Sequence, residues 1–399
     1  QTCALPIFNA AWEDSASYID HADGRRNFYS LAADWLIGER GKLEVDANYQ
    51  TSAQRSASGF QLLGATELPR GVDRSKMLGY QPWQQPVGIA STNLTALHTF
   101  ELGPRWQSRV SASHSRSVID DNVAFAYGCY YAAQCADGSV PGNYFAPNGD
   151  YDIYDYRSPD DTRVNQELRA ELRGSVDTGR VTHQLSIGAD TFRRTVDKRQ
   201  NVNEYVGTAN IHDPQVPVFA PSPLQPGASV RRLDSRQDGL FVLDRMRFGD
   251  DWQWLAGGRM VRLDERAYDK RGNPERHSRI SRFLPQTALI WNATDQVNAY
   301  VSYVRGISLG QEAPFWTSND GEFLPPVLSR QLEVGIKYGA TDALTLGAAL
   351  FRTSQPFQYA RADDSDAGYT FVQEGQQTHT GLELTANGQL TDALQVVAS

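Results

Sequence analysis

The sequence predicts an all-β fold of one kind, a transmembrane antiparallel up-and-down β-barrel, and three observations carry that prediction. Tight turns and long loops alternate along the chain, which places every tight turn at one end of a meandering sheet and every long loop at the other. The strand-like runs have unlike faces: residues 297–304 set Val297, Ala299, Val301 and Tyr303 against Asn298, Tyr300 and Ser302, the period of two of a strand. Full charges stand in mid-strand on the polar faces, as Glu44, Asp46, Glu167, Arg169, Glu171, Arg173, Glu333 and Lys337 do. Burying those in a protein core would be very costly, so that face must meet water and the apolar face is left to lipid.

Composition agrees. The 399 residues contain no linker or compositional break, and one large barrel is a permitted exception to ordinary domain length. A mean hydropathy of −0.50 and the absence of any apolar run near eighteen residues exclude a membrane-crossing helix. It does not exclude barrel strands, which need only about ten residues with one apolar face. The net charge of −9 argues against nucleic acid as a partner, and 18 Tyr, 16 Phe and 8 Trp make the chain rich in aromatics.

Taken in order, residues 1–7, QTCALPI, resemble a translated sequencing-library adapter and are set aside with their Cys3, leaving 8–399 as a partial barrel domain. A first strand over 8–18 is followed by the polar HADGRRN and a returning strand over 28–37. After the tight GERGK, Leu43, Val45, Ala47 and Tyr49 alternate strictly with Glu44, Asp46, Asn48 and Gln50. A long connection over 53–85 holds Phe60, Tyr80 and Trp83. Strands over 87–102 and 106–127 flank Gly103-Pro104-Arg105, and the second runs into a loop with two cysteines. From Thr162, Val164, Leu168, Ala170 and Leu172 oppose Asn165, Glu167, Arg169, Glu171 and Arg173. DTGR turns the chain into 183–198, and 201–235 reads as a Pro-rich loop. Strands over 238–248 and 252–266 pair across Gly249-Asp250-Asp251, and 279–292 follows the polar DKRGNPERHS. The run 297–304 is joined to 331–338 by a long loop carrying Phe315 and Trp316, and 331–338 to the strand from Ala343 by only Gly-Ala-Thr-Asp. A loop around DDSDAG, a strand over 369–390, the turn Thr391-Asp392-Ala393 and a last run complete about fifteen strands. Trp35, Trp106, Trp252, Trp254 and Trp291 lie within a few residues of short turns, the placement of an aromatic girdle at a membrane interface.

No catalytic residue is expected, and the chain does not read as an enzyme. The seven histidines show no paired metal-ligand spacing, and there is no G-x-S-x-G, phosphate loop or cysteine array, so neither a metal nor a cofactor is predicted. Cys129 and Cys135 form a C-x5-C pair that suits either a metal clip or a disulfide. Two ligands alone make a poor zinc site, and an oxidising compartment favours the disulfide.

Three runs, AYVSYVRGISLGQEAP, LPPVLSRQLEVGIKYGATDALTLGAALFRTSQ and TGLELTANGQLTDALQVVAS, occur in the order and spacing of barrel segments from TonB-dependent siderophore receptors of the Gram-negative outer membrane. The chain resembles that family, most of all its ferrichrome and hydroxamate branch, and a weaker likeness runs back to about Phe8. The resemblance implies an internal fragment of a barrel of about 22 strands, with plug domain and TonB-contacting segment outside this chain. It implies a ferric siderophore as ligand, the TonB complex as partner through the missing N-terminal region, and a monomer in outer-membrane lipid. It further implies that a Cys129–Cys135 disulfide staples an extracellular loop, and that ligand contacts fall to loop aromatics, which offer much contact at small entropic cost. The candidates are Phe60, Tyr80, Trp83, Phe125, Tyr127, Tyr205, Phe315 and Trp316, with Phe60 and Tyr127 nearest the positions of ligand-contacting aromatics in ferrichrome-type members. Arg231 and Arg232 are either contacts for an anionic chelate or a solvated pair. The alternative function is a passive pore or adhesin on a similar barrel without energy coupling, which long aromatic loops suit less well than capture.

Overall fold

The structure, a computed structural model, describes residues 6–136, 138–140, 142–391 and 393–399. Of the segment set aside as adapter-derived, residues 1–5 with Cys3 lie outside the described residues, as does Asp392; Ile7 opens the first strand opposite Ala32.

The alternating turns and loops become one antiparallel meander. Its strands are β1 (Ile7–Ser15), β2 (Gly24–Ile37), β3 (Gly41–Gln54), β4 (Val87–Gly103), β5 (Trp106–Ala126), β6 (Asp150–Thr178) and β7 (Val181–Arg199). There follow β8 (Val202–Asn210), β9 (Ser229–Phe248), β10 (Trp252–Tyr268), β11 (Pro274–Asn292) and β12 (Val297–Ser308). The series ends with β13 (Val327–Thr341), β14 (Leu344–Ala362), β15 (Tyr369–Thr391) and β16 (Leu394–Ala398). Each pairs with its neighbour in sequence except β8, which leaves the path so that β7 pairs directly with β9. Among the described residues β1 and β16 are the two edges of an unclosed sheet.

Two corrections to the sequence reading concern the loop end. The stretch 201–235 is not wholly loop: β8 lies in it, pairs with the first part of β6, and β9 begins at Ser229. The strand expected from Thr162 starts twelve residues earlier, at Asp150. The strand passes through Pro159 and the acidic pair Asp160-Asp161 as a β-bulge, the register stepping from Ile119↔Asp161 to Asp121↔Ser158. Asp160 takes a φ of 59°, gives its amide to Asp120 Oδ1 at 2.9 Å and accepts Arg199 Nε at 2.9 Å. The extra residue on β6 reverses its faces beyond that point, as a bulge must. Tyr154 is thereby brought to the inner side, against Phe125.

The two faces differ as the alternation requires. One register row runs Leu289, Val301, Val334, Leu350 and Leu382 across β11 to β15, all exposed and apolar on the outward side. The charges face inward, where they meet each other. Glu171, only 7 % exposed, accepts Arg173 Nε at 2.8 Å, Tyr300 donates to Glu333 at 2.6 Å, and Arg259 passes over Gly239 to pair with Asp190. Trp35, Trp106, Trp252, Trp254 and Trp291 share the outward face at the turn end, Trp252 stacking on Trp291 with centroids 6.0 Å apart.

Along the wall itself burial is local, as where Val196, Leu233 and Ala267 pack with Phe323. The main buried cluster sits at the loop end, where Leu63, Leu78, Ala124, Ala126, Phe145, Tyr151, Ile153, Ala209 and Ile211 pack together. The long loops thus fold as a cap with an apolar interior drawn from loop 55–86, the top of β5, β6 and β8.

Candidate ligand-binding cleft in the cap

The cap is held by side chains that satisfy distant backbone groups, as burial of those groups demands. Gln81, fully buried, donates to Pro217 O at 2.9 Å and accepts Phe219 N at 2.8 Å; Trp83 Nε1 donates to Phe219 O at 2.9 Å. Phe60 and Trp83 pack against the apolar cluster, and Tyr80 stacks on His21 at 4.1 Å. Of the eight candidate ligand contacts, these three are therefore placed in the body of the cap.

The other five converge. Phe125, Tyr127, Phe315 and Trp316 line a cleft of about 210 Å³ together with Tyr130, Tyr131, Tyr154 and Asn203. Tyr205 stands behind it, stacked on Tyr131 at 4.3 Å and edge-on to Tyr154 at 6.3 Å. Phe125 stacks on Tyr154 at 5.7 Å, and Tyr127 meets Phe315 edge-on at 5.8 Å across the cleft. Rings at these offsets form walls on which a flat or bulky ligand can lie.

One wall is the cysteine loop. Cys129 and Cys135 are joined in a disulfide with Cα atoms 5.7 Å apart, buried among Ala132, Val140 and Ala146. Asp152, fully buried on β6, fixes the loop's entry: its Oδ2 accepts Tyr130 N at 2.5 Å and Tyr131 N at 3.1 Å. Its Oδ1 accepts the Thr208 hydroxyl at 3.2 Å, which lies 2.9 Å from the Tyr205 hydroxyl. Tyr130 donates to Asn143 Oδ1 at 2.6 Å. Burial pushes the phenols of Tyr127 and Tyr130 up, so both remain neutral hydrogen-bonding groups at physiological pH.

The opposite wall is loop 309–326, anchored to the barrel by cations. Arg232, 5 % exposed, donates to Gly321 O at 2.7 Å and to Tyr268 O at 3.0 Å. Arg276 reaches Phe323 O at 3.1 Å and Leu324 O at 3.2 Å while pairing with buried Glu265 at 2.8 Å, and Lys198 pairs with Glu312 at 2.8 Å. This corrects both readings of the neighbouring arginines: Arg232 is buried and occupied by carbonyls, and Arg231 pairs with Asp197 at 2.5 Å.

Four lining residues, Tyr130, Tyr131, Tyr154 and Asn203, escaped the sequence reading. Tyr130 and Tyr131 directly follow Cys129, a signal that was available. Tyr154 and Asn203 belong to the β6 extension and β8, which the sequence reading left as loop. Among the described residues no cluster of three or more His, Cys, Asp or Glu is placed to hold a metal ion.

A wide antiparallel wall, apolar outside and charged inside, with loops folded into a cap around an aromatic cleft, defines the class as a large β-barrel of the membrane-facing kind. The chain belongs to the family described as TonB dependent receptor-like, beta-barrel, which matches residues 29–399. It is 23 % identical over 409 residues to the metal-pseudopaline receptor of Pseudomonas aeruginosa, covering 98 % of this chain and 53 % of that protein. It is 26 % identical over 413 residues to a ferrichrome receptor of Yersinia enterocolitica, covering 98 % and 50 %. The fold is that of the pyoverdine outer membrane receptor of P. aeruginosa PAO1, with a TM-score of 0.79 and 18 % identity over 99 % of this chain and 56 % of that one. The chain spans about half the length of these relatives.

Proposed function

We propose that the protein containing this chain binds a ferric siderophore at its cap and imports it across the outer membrane by TonB-coupled transport. The observation that carries this reading is the aromatic cleft itself: five rings proposed as ligand contacts, Phe125, Tyr127, Tyr205, Phe315 and Trp316, gather around one space. At about 210 Å³ that space is smaller than an ordinary small-molecule pocket, so it grips part of a chelate and leaves the rest to the mouth. Relatives named as receptors for metal-pseudopaline and ferrichrome support the reading. On it, outer-membrane lipid covers the outward apolar rows, the TonB complex engages a region outside this chain, and the receptor acts as a monomer.

The test is uptake of radiolabelled ferric siderophore by cells carrying the full-length receptor, with and without a working TonB complex. Uptake that disappears without TonB while binding to the cells persists is the expected result. Equal uptake in both strains would overturn coupling and return a passive pore to first place.

A further inference from the structure

We propose that Asp152 is the positioning residue of the cleft: through Thr208 it ties the cysteine loop to β8, so a carboxylate that lines no part of the cleft sets how tightly the cleft holds a ligand. This rests on the siderophore-receptor reading and adds to it the device that fixes the rings.

Asp152 belongs to the β6 extension and stands between Tyr151 and Ile153, both fully buried in the apolar cluster of the cap. Alternation along the strand turns the intervening carboxylate the other way, toward the cysteine loop. Its main chain holds the start of that loop, Asp152 O accepting Tyr127 N at 2.9 Å and Asp152 N donating to Gly128 O at 3.0 Å. Its side chain reaches both walls. Oδ2 accepts the amides of Tyr130 and Tyr131, at 2.5 and 3.1 Å, and Oδ1 accepts the Thr208 hydroxyl at 3.2 Å. Because Thr208 gives its one hydroxyl proton to Asp152, the Tyr205 hydroxyl, 2.9 Å away, is the donor in its contact with Thr208. The Tyr205 ring stacks on Tyr131 at 4.3 Å, which closes a circuit from Asp152 through Tyr131, Tyr205 and Thr208 back to Asp152.

That closed circuit constrains Tyr131 more than its contacts do singly. Tyr131 lines the cleft, whereas Asp152, Thr208 and Tyr205 do not. It is 58 % exposed, so packing alone does not hold its ring. Its amide is fixed at one end and its ring at the other, and both ends refer to the same carboxylate. Breaking either arm frees the ring and leaves a buried polar group unmet. A ligand must then order that wall as it binds, which lowers affinity.

The test uses the full-length receptor in detergent micelles and reads two quantities. One is the Kd for a ferric trihydroxamate and for a ferric tris-catecholate, by quenching of tryptophan fluorescence; the other is hydrogen exchange at the Tyr130 and Tyr131 amides. Thr208→Val and Tyr205→Phe each keep the shape of the side chain and remove one hydroxyl. Either change should weaken whichever probe the wild type binds about fivefold, the size of one neutral hydrogen bond, and speed exchange at the two amides by a similar factor. Neither side chain bonds those amides, so a role confined to β8 would leave their exchange alone. The double variant should be no weaker than either single one, since both changes break the same arm. Asp152→Leu should lose at least about tenfold in affinity. Asp152→Asn, which can offer its oxygen to the amides and its NH2 to the Thr208 oxygen, should restore most of that loss. If Asp152→Leu does not fold, the two hydroxyl variants decide the matter. Single variants that stay within about twofold of wild type in Kd overturn the role in binding, and unchanged amide exchange, or a double variant that loses the product of the single losses, overturns the coupling. Binding of neither probe by wild-type protein would instead overturn the siderophore reading, and exchange alone would then decide the circuit.

Discussion

Replacing Arg232 by Met should loosen loop 309–326 while leaving the barrel intact. Met keeps the length of the side chain and its apolar stem but removes both charge-assisted hydrogen bonds, to Gly321 O at 2.7 Å and Tyr268 O at 3.0 Å. Each such bond contributes about 1.5–3 kcal/mol, and each carbonyl left unpaired adds a desolvation cost of similar size. Relief of the buried charge's own desolvation offsets part of this. The Arg276, Lys198 and Asn319 anchors also remain. A net loss of about 3 kcal/mol for loop closure follows, which multiplies the open population by roughly a hundred. Hydrogen exchange reads that population directly. The reporter amides are Ala313, bonded to Glu322 O at 2.7 Å, Gly321, bonded to Ala313 O at 2.9 Å, and Leu324, bonded to Gln311 O at 2.8 Å. They should exchange about a hundredfold faster in Arg232→Met, with the β12–β13 ladder unchanged. Exchange within about threefold of wild type would show that Arg232 does not hold the loop, and the clamp argument would be wrong.

Two further outcomes follow from particular contacts. A Cβ on Gly335 would fall 2.5 Å from the Tyr300 ring, so Gly335→Ala should displace that ring, break its hydrogen bond to Glu333 and cost about 1–3 kcal/mol, read as a lower temperature for loss of the folded band on unheated gels. Gly59→Ala, with nothing within 4 Å, is the control that should leave that temperature alone. The raised phenols of Tyr127 and Tyr130 favour their protonated forms in the folded cap, so their contribution is fully present below the ordinary value of 10.0 and is lost as pH rises through the raised values. Absorbance titration should find that Tyr127 and Tyr130 contribute less tyrosinate at pH 10 than ordinary phenols do; if Tyr127→Phe and Tyr130→Phe each lower the pH 10 tyrosinate signal by as much as the loss of an ordinary phenol would, those phenols are not protected.

The sequence makes the wall legible because a strand's faces are set by adjacent residues. Leu332, Val334 and Ile336 against Glu333 and Lys337 need no knowledge of what lies next door, and the structure keeps each on its expected face. What local alternation cannot show is a change of phase. The bulge at Asp160 reverses β6, so Tyr154 reaches the inner side from a position that reads as loop, and β8 exists because that extended β6 offers it an edge. Aromatic type marked loop residues without saying where they point: Trp83 and Trp316 look alike in sequence, yet one caps the apolar cluster and the other lines the cleft. Arg232 read as a contact for an anion or a solvated charge, since nothing near it in sequence reveals the carbonyl at Gly321 that it holds.

The unread part has a common physical cause. Wall contacts join neighbouring strands, whereas the cap is tied by bonds between residues far apart in the chain: Gln81 to Phe219, separated by 138 residues, Lys198 to Glu312 by 114, and Arg232 to Gly321 by 89. Closing loops of that size is costly in chain entropy, and only a wall that already fixes the loop ends lowers the cost enough for single side chains to finish the work. The cap contacts therefore depend on a wall that fixes the loop ends. A cleft built this way can be reshaped residue by residue, at Asn203, at Tyr131 or along loop 309–326, without disturbing the register beneath it. Its chemistry then depends on a few long-range contacts, while the barrel depends on a pattern repeated in every strand.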